Sequence, residues 1–171
     1  MIPTRIIDYL ERHAIPCMRR QHRRAVTAQE LAATVHIPGA HVAKSVLVKA
    51  GEQIWIAVLP ATEVLDERRV AAALGVPAVR MLREEEFEGL FPDSEPGAEP
   101  PFGGLYGLPV IIDSGLTYAK RILFRAGSHE EAIEMRFEDF YKLENEPKVA
   151  PIGRPQPQSG AWDDWSEPAP F

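Results

Sequence analysis

Three stretches of this sequence hold residue types that can do chemistry together. The first is Lys44, set in the apolar run Val42-Ala43-Lys44-Ser45-Val46-Leu47-Val48. A lysine near the start of such a strand is either an outward edge charge or an inward ammonium. Turned inward, it can fix a phosphate or a carbonyl oxygen, and desolvation makes it titrate usefully. The second stretch is Gly97-Ala98-Glu99-Pro100-Pro101-Phe102-Gly103-Gly104. Its glycines let backbone amides approach a ligand while its prolines hold the loop's shape, so it can present N–H groups to an oxygen that develops negative charge. An ordinary surface loop would have the same composition. The third is Gly127-Ser128-His129, at the end of a strand candidate, where His129 either orients a substrate or caps Glu130 or Glu131.

What is missing narrows the chemistry. There are no paired carboxylates at a readable spacing, no Cys-His motif and no metal-ligand cluster. The single cysteine, Cys17, excludes an internal disulfide framework and a Cys-pair zinc site, and it reads as a buried strand residue rather than a nucleophile. A formal charge of -6 over 171 residues argues against a protein that coats nucleic acid, and no duplex DNA partner is expected. One dense basic patch, Arg19, Arg20, His22, Arg23 and Arg24, interrupts that acidity. It is either a solvated loop or a local contact for a polyanion. No run approaches the roughly 18 apolar residues of a membrane span, and the first residues lack the apolar core of a signal peptide. A cytoplasmic protein with no membrane partner is expected.

The elements that must position these residues can be read from periodicity. Residues 3–13 place Ile6, Ile7 and Leu10 on one helical face, and Pro16 ends the pattern. Thr27-Ala28-Gln29-Glu30 has the form of a capping box, and the helix after it runs through Val35 to a stop at Pro38-Gly39. Val42–Lys49 and Gln53–Leu59 predict a β-hairpin around Ala50-Gly51-Glu52. Asp66 caps a helix through Leu74 with Gly75 as its stop, and a second helix is predicted over Glu84–Leu90. A loop follows from Pro92 to Leu108. Strands are then predicted over Pro109–Asp113, Ile122–Arg125 and Ala132–Phe137, with a helical turn over Phe137–Leu143. This order predicts an α+β single domain, its central sheet mixed and mostly antiparallel or a partial barrel, flanked by helices. The domain spans residues 1–146. Residues 147–171, broken by Pro147, Pro151, Pro155, Pro157, Pro168 and Pro170, read as a tail without regular structure that carries Trp162, Trp165 and Phe171.

Taken together, these segments resemble the YbaK-like proteins and the editing domain of bacterial prolyl-tRNA synthetases, from about Ile6 to Leu143. Ala43-Lys44-Ser45-Val46-Leu47-Val48 resembles the strand that bears the family's functional lysine. Gly97-Ala98-Glu99-Pro100-Pro101 resembles its Gly-x-x-x-Pro loop, continued by Phe102-Gly103. Val110-Ile111-Ile112-Asp113 and Phe124-Arg125-Ala126-Gly127-Ser128-His129 resemble freestanding members.

The resemblance implies hydrolysis of the ester that joins an amino acid to the terminal adenosine of tRNA, with neither cofactor nor metal. Lys44 would hold the phosphate or ribose end, and the amides of Gly97 and Ala98 would stabilise the oxyanion. Ser45, Pro101, Phe102, Gly103, Gly127, Ser128 and His129 would line the substrate site, and Arg19, Arg20, Arg23 and Arg24 are candidate tRNA contacts. The implied partner is the acceptor end of aminoacyl-tRNA, with a synthetase as a candidate second partner. Small cargo is implied, alanine before cysteine or serine, on tRNA-Pro or a similar tRNA.

This chain departs from the family in three ways. Ser45 stands where some alanine-specific relatives have Asn. Glu99 adds a negative charge near the expected phosphate, so its side chain is expected to point outward. The Trp-bearing tail has no counterpart in the family. Two other classes remain open: a non-catalytic module that binds tRNA ends or a small ligand through the same pocket, and an interaction protein that works through its aromatic tail.

Overall fold

The computed structural model describes residues 1–145 and 147–157. Helix α1 forms over Thr4–Arg12 and buries Ile6, Tyr9 and Leu10, with Ile7 partly buried against the same cluster. Strand β1 follows at Cys17–Gln21. Helix α2, Ala28–Val35, starts as its capping box requires. The Glu30 amide donates to Thr27 Oγ1 at 3.0 Å, and the Thr27 amide donates to Glu30 Oε2 at 3.3 Å. The helix ends on His36 in the left-handed region, just before Pro38-Gly39.

The hairpin forms in the predicted place. Strands β2 (Ala43–Ala50) and β3 (Gln53–Pro60) pair antiparallel, with Lys44 opposite Leu59 and Ala50 opposite Gln53. Next come β4 (Glu63–Leu65), helix α3 (Glu67–Leu74, capped by Asp66), β5 (Val79–Met81) and the short helix α4 (Glu84–Phe87). Helix α5 (Gly103–Tyr106) lies in the stretch expected to be loop. The chain continues through β6 (Val110–Asp113), β7 (Arg121–Arg125), β8 (Glu131–Arg136) and helix α6 (Phe137–Leu143).

A five-stranded sheet of order β5-β2-β3-β6 is completed by a strand beyond Pro147. Two short strands, β9 (Lys148–Ala150) and β10 (Gly153–Pro155), correct the expectation that this region lacks regular structure. The prolines explain how: Pro147 and Pro151 flank β9, and Pro155 closes β10, so no proline interrupts the centre of either strand. β9 pairs parallel with β6, and β10 pairs antiparallel with β4. The aromatics Trp162, Trp165 and Phe171 lie outside the described residues.

A second sheet, β1-β8-β7, is antiparallel and touches the first through a parallel bridge between Val42 and Leu123. Among the described strand pairings, only β3-β6 and β6-β9 are parallel, and no closed barrel forms. The fold is therefore a mixed α+β single domain flanked by helices, as predicted.

The alternation of β2 splits the core in two. Ala43 and Leu47 face a cluster that includes Ile6, Phe102, Phe124 and Phe140, whereas Val48 and Ala50 face Val70 and Ala71 of α3. Phe102 and Phe124 meet edge to face at 5.2 Å, which ties the glycine-proline loop to β7. No helix among the described residues is long and apolar enough to cross a membrane.

Candidate active site

Lys44 is not an outward edge charge. It lies one residue into β2, where β3 covers one side but β5 does not yet reach the other, because β5 pairs only with residues 48–50. The side chain is half-buried, and that burial pushes its ammonium below the ordinary lysine range, opposed by the charge of Glu63. Into the gap beside β2 comes the glycine-proline loop. Lys44, Ser45, Gly97, Glu99, Phe124 and Arg125 line one small cleft of about 30 Å³. The lysine and the loop, far apart in the chain, thus share a cavity. A wider groove of about 620 Å³ runs along Thr117–Arg121 and Arg136–Glu138, but none of these cleft residues lines it.

The loop is sewn to the segment after β7. The Glu95 amide donates to Gly127 O at 3.0 Å, and the Gly127 amide donates to Ala98 O at 2.7 Å. The His129 amide donates to Glu95 Oε2 at 2.6 Å, and its ring Nε2 lies 2.7 Å from Pro96 O. Gly97 stands at φ +83, which a residue with a Cβ adopts only under strain. Gly127 has φ +85, and a Cβ there would come within 2.7 Å of Pro3 Cδ.

Arg125, at the end of β7 and 8% exposed, is the internal clamp. Its Nη1 donates to Val26 O, to Gly97 O at 3.2 Å and towards His129 Nδ1 at 3.3 Å. With Arg125 donating to Nδ1, the histidine carries its proton on Nε2 and gives it to Pro96 O.

Several predicted site residues therefore take different parts. Both ring nitrogens of His129 are engaged by protein, so His129 sets the loop's shape. Ser128 is buried, with its Oγ accepting the Glu130 amide at 3.1 Å. Phe102 and Gly103 are buried behind the cleft, in the aromatic core and the first turn of α5, and Pro101 is buried beside them. The Ala98 amide is already bonded to Glu95 O at 3.0 Å, which leaves Gly97 as the amide within the cleft.

The expectation for Glu99 is overturned. Its side chain points inward, is 8% exposed, and accepts the Gly97 N–H through Oε1 at 3.0 Å. The reason is local: a buried Gly97 amide without an acceptor would be costly, and the carboxylate two residues on supplies one. Burial weakens Glu99 as an acid, raising its pKa above the usual carboxylate range.

Four contributors escaped the sequence reading: Glu99 as an inward group, Arg125, Glu63 and Asp113. Glu63 on β4 stands near Asp113, and burial followed by the Asp113 charge raises its pKa. Asp113 in turn accepts the Ile152 and Gly153 amides through Oδ1, at 2.9 and 3.0 Å, and the Gly115 amide through Oδ2 at 2.9 Å. Arg125 was open to the reasoning applied to Lys44, since it too is a cation ending an apolar run.

The basic patch is partly folded into the structure. Arg19 and Arg23 are exposed. Arg20 bonds Glu134 Oε2 at 2.6 Å through Nε, and Arg24 lies 3.3 Å from Glu95 Oε1. Arg19 and Arg20 belong to β1 rather than to a loop. Through Glu95, Arg24 stands beside the loop that carries Gly97. Cys17 is half-buried rather than buried, and burial pushes its thiol away from the reactive thiolate. Among the described residues no group of three or more His, Cys, Asp and Glu side chains can hold a metal ion.

A mixed α+β domain with a half-buried lysine that shares a cleft with a glycine-proline loop defines a class of site, and sequence comparison gives that class a name. The chain belongs to the family of aminoacyl-tRNA editing domains, whose model matches residues 22–143. Solved structures agree in fold. A hypothetical protein, APE2540, superposes with a TM-score of 0.78 at 17% identity, covering 88% of this chain and 99% of its own. A proposed trans-editing enzyme for prolyl tRNA synthetase superposes with a TM-score of 0.76 at 20% identity, covering 88% and 96%. No curated protein matches the chain in sequence.

Proposed function

We propose that this protein is a trans-editing deacylase that hydrolyses the ester of a mischarged tRNA. The observation that carries the reading is that Lys44 and Gly97 line one cleft. In this scheme Lys44 holds the phosphate or ribose end of the terminal adenosine. The Gly97 amide stabilises the oxyanion, an interaction worth roughly 3 kcal/mol per donor in other hydrolases. Water, activated by the substrate's own ribose hydroxyl, attacks the carbonyl, and positioning supplies most of the acceleration. Ser45 beside Lys44 supports the ligand. His129, Arg125, Gly127 and Ser128 hold the loop in place, and Asp113 and Glu63 hold the surroundings of Lys44.

The cargo is a small amino acid, alanine before cysteine or serine, on tRNA-Pro or a similar tRNA. A synthetase separates cognate from a smaller rival by only about 1–3 kcal/mol per methylene, so a second, hydrolytic sieve is needed for small rivals. Arg19, Arg23 and Arg24 receive the acceptor stem, and Arg24 places that contact next to the loop.

The test is a panel of differently mischarged tRNAs, comparing hydrolysis by wild type, by Lys44→Ala and in buffer. Wild type should deacylate at least one small-amino-acid species, and Lys44→Ala should lose roughly 10²-fold or more while keeping its fold by circular dichroism. Equal rates in protein and buffer would remove the enzyme reading. One observation favours the rival reading as a binding module: in the free protein both candidate amides already have acceptors. Tight binding of tRNA ends without hydrolysis would establish it.

A further inference from the structure

We infer that Glu99 is the residue that recognises the α-ammonium of the aminoacyl group, an assignment that rests on the deacylase reading above. Glu99 is an acid in a cleft that is otherwise cationic: it shares the lining with Lys44 and Arg125. More than nine-tenths of it is buried, yet among the described residues no cation lies within the 4.0 Å of an ion pair with it. Arg125 turns its Nη1 to Val26 O, Gly97 O and His129 instead. The Arg125 charge acts on Glu99 without touching it, so the buried carboxylate lacks a contact ion pair, a cost that is relieved if the ligand supplies a cation in direct contact.

An aminoacyl ester brings that charge. Its amino acid part carries one ammonium, which Lys44 and Arg125 would both repel, so it can settle only against the acid.

The present partner of Glu99 gives the contact a consequence. Its Oε1 accepts the Gly97 N–H at 3.0 Å. When the carboxylate turns to an arriving ammonium, that N–H is released to the ester's carbonyl oxygen. The charged amine therefore opens the donor that the reaction uses, and an acyl group without an amine leaves it closed.

Binding of two non-hydrolysable adenosine amides separates this role from a structural one: 3′-alanylamino-3′-deoxyadenosine and its propionyl counterpart, which lacks only the amine. Wild type should prefer the alanyl compound by about tenfold or more, the range of a charge-assisted hydrogen bond. Glu99→Gln keeps an acceptor for Gly97 and should bind both compounds equally, with its affinity for the propionyl compound unchanged. Glu99→Asp keeps the charge and should retain a preference. No preference in wild type, a preference surviving in Glu99→Gln, or equal loss of both compounds in that variant would each overturn the assignment. If the preference depends on Glu99 but no mischarged tRNA is hydrolysed, the assignment stands and the deacylase reading falls. Lys44-dependent hydrolysis with no Glu99-dependent preference removes the assignment alone.

Discussion

Two places in this molecule set two cations against one acid, and they settle the charge in opposite ways. On β8, Glu134 is gripped from both sides: Arg20 of β1 reaches its Oε2 at 2.6 Å, and Arg121 of β7 reaches its Oε1 at 3.1 Å. In the cleft, Lys44, Arg125 and Glu99 come from β2, β7 and the glycine-proline loop, and no ion pair within 4.0 Å joins Glu99 to either cation. There burial wins over mutual attraction. It lowers the pKa of Lys44 and Arg125 and raises that of Glu99, disfavouring the charged form of all three. A closed set of charges fastens strands together. An open set, not joined in contact ion pairs, is the kind of cluster that marks a candidate site.

The contrast can be broken by substitution. The largest effect on both stability and hydrolysis is expected from Gly97→Ala. A Cβ at φ +83 costs about 1–3 kcal/mol, and the shift it forces moves the amide from the cleft. Calorimetry should show a lower Tm, and deacylation should fall with it; a drop in Tm with full activity would mean that the loop takes no part. A smaller, purely structural effect is expected from Glu134→Gln. The partners are partly exposed, so after solvent screening stability should fall by about 1 kcal/mol or less, with deacylation unchanged. Activity falling as far as in Lys44→Ala would erase the distinction between the two clusters. The mildest change belongs to Arg23→Ala combined with Arg24→Ala. The Michaelis constant for tRNA should rise a few-fold, and the salt slope should flatten by about 0.7–0.9 for each phosphate that is no longer neutralised. An unaltered slope would return this segment to the status of solvated surface.

Much was legible in the chain alone because it depended on near neighbours. The Thr27–Glu30 capping box, the β2-β3 hairpin and the Asp66 cap follow from spacings of a few residues, and each appears where it was expected. Lys44 was legible as a choice between two states. Choosing inward over outward needed the termination of β5 at residues paired with 48–50, which no local pattern announces. The inward turn of Glu99 and the burial of Phe102 were decided in the same way, by where the loop docks. So was the reassignment of His129, whose partners Pro96 and Arg125 come to its two ring nitrogens from different segments of the fold.

Local sequence thus determined which residues carry charge, which backbone positions need glycine, and which runs become helix or strand, since propensity, capping and periodicity act over a few residues. Tertiary structure alone decided which charges pair and which stay open, because desolvation depends on what packs around a group. Lys44, Glu99 and Arg125 meet only when β2, β7 and the loop close on one cavity.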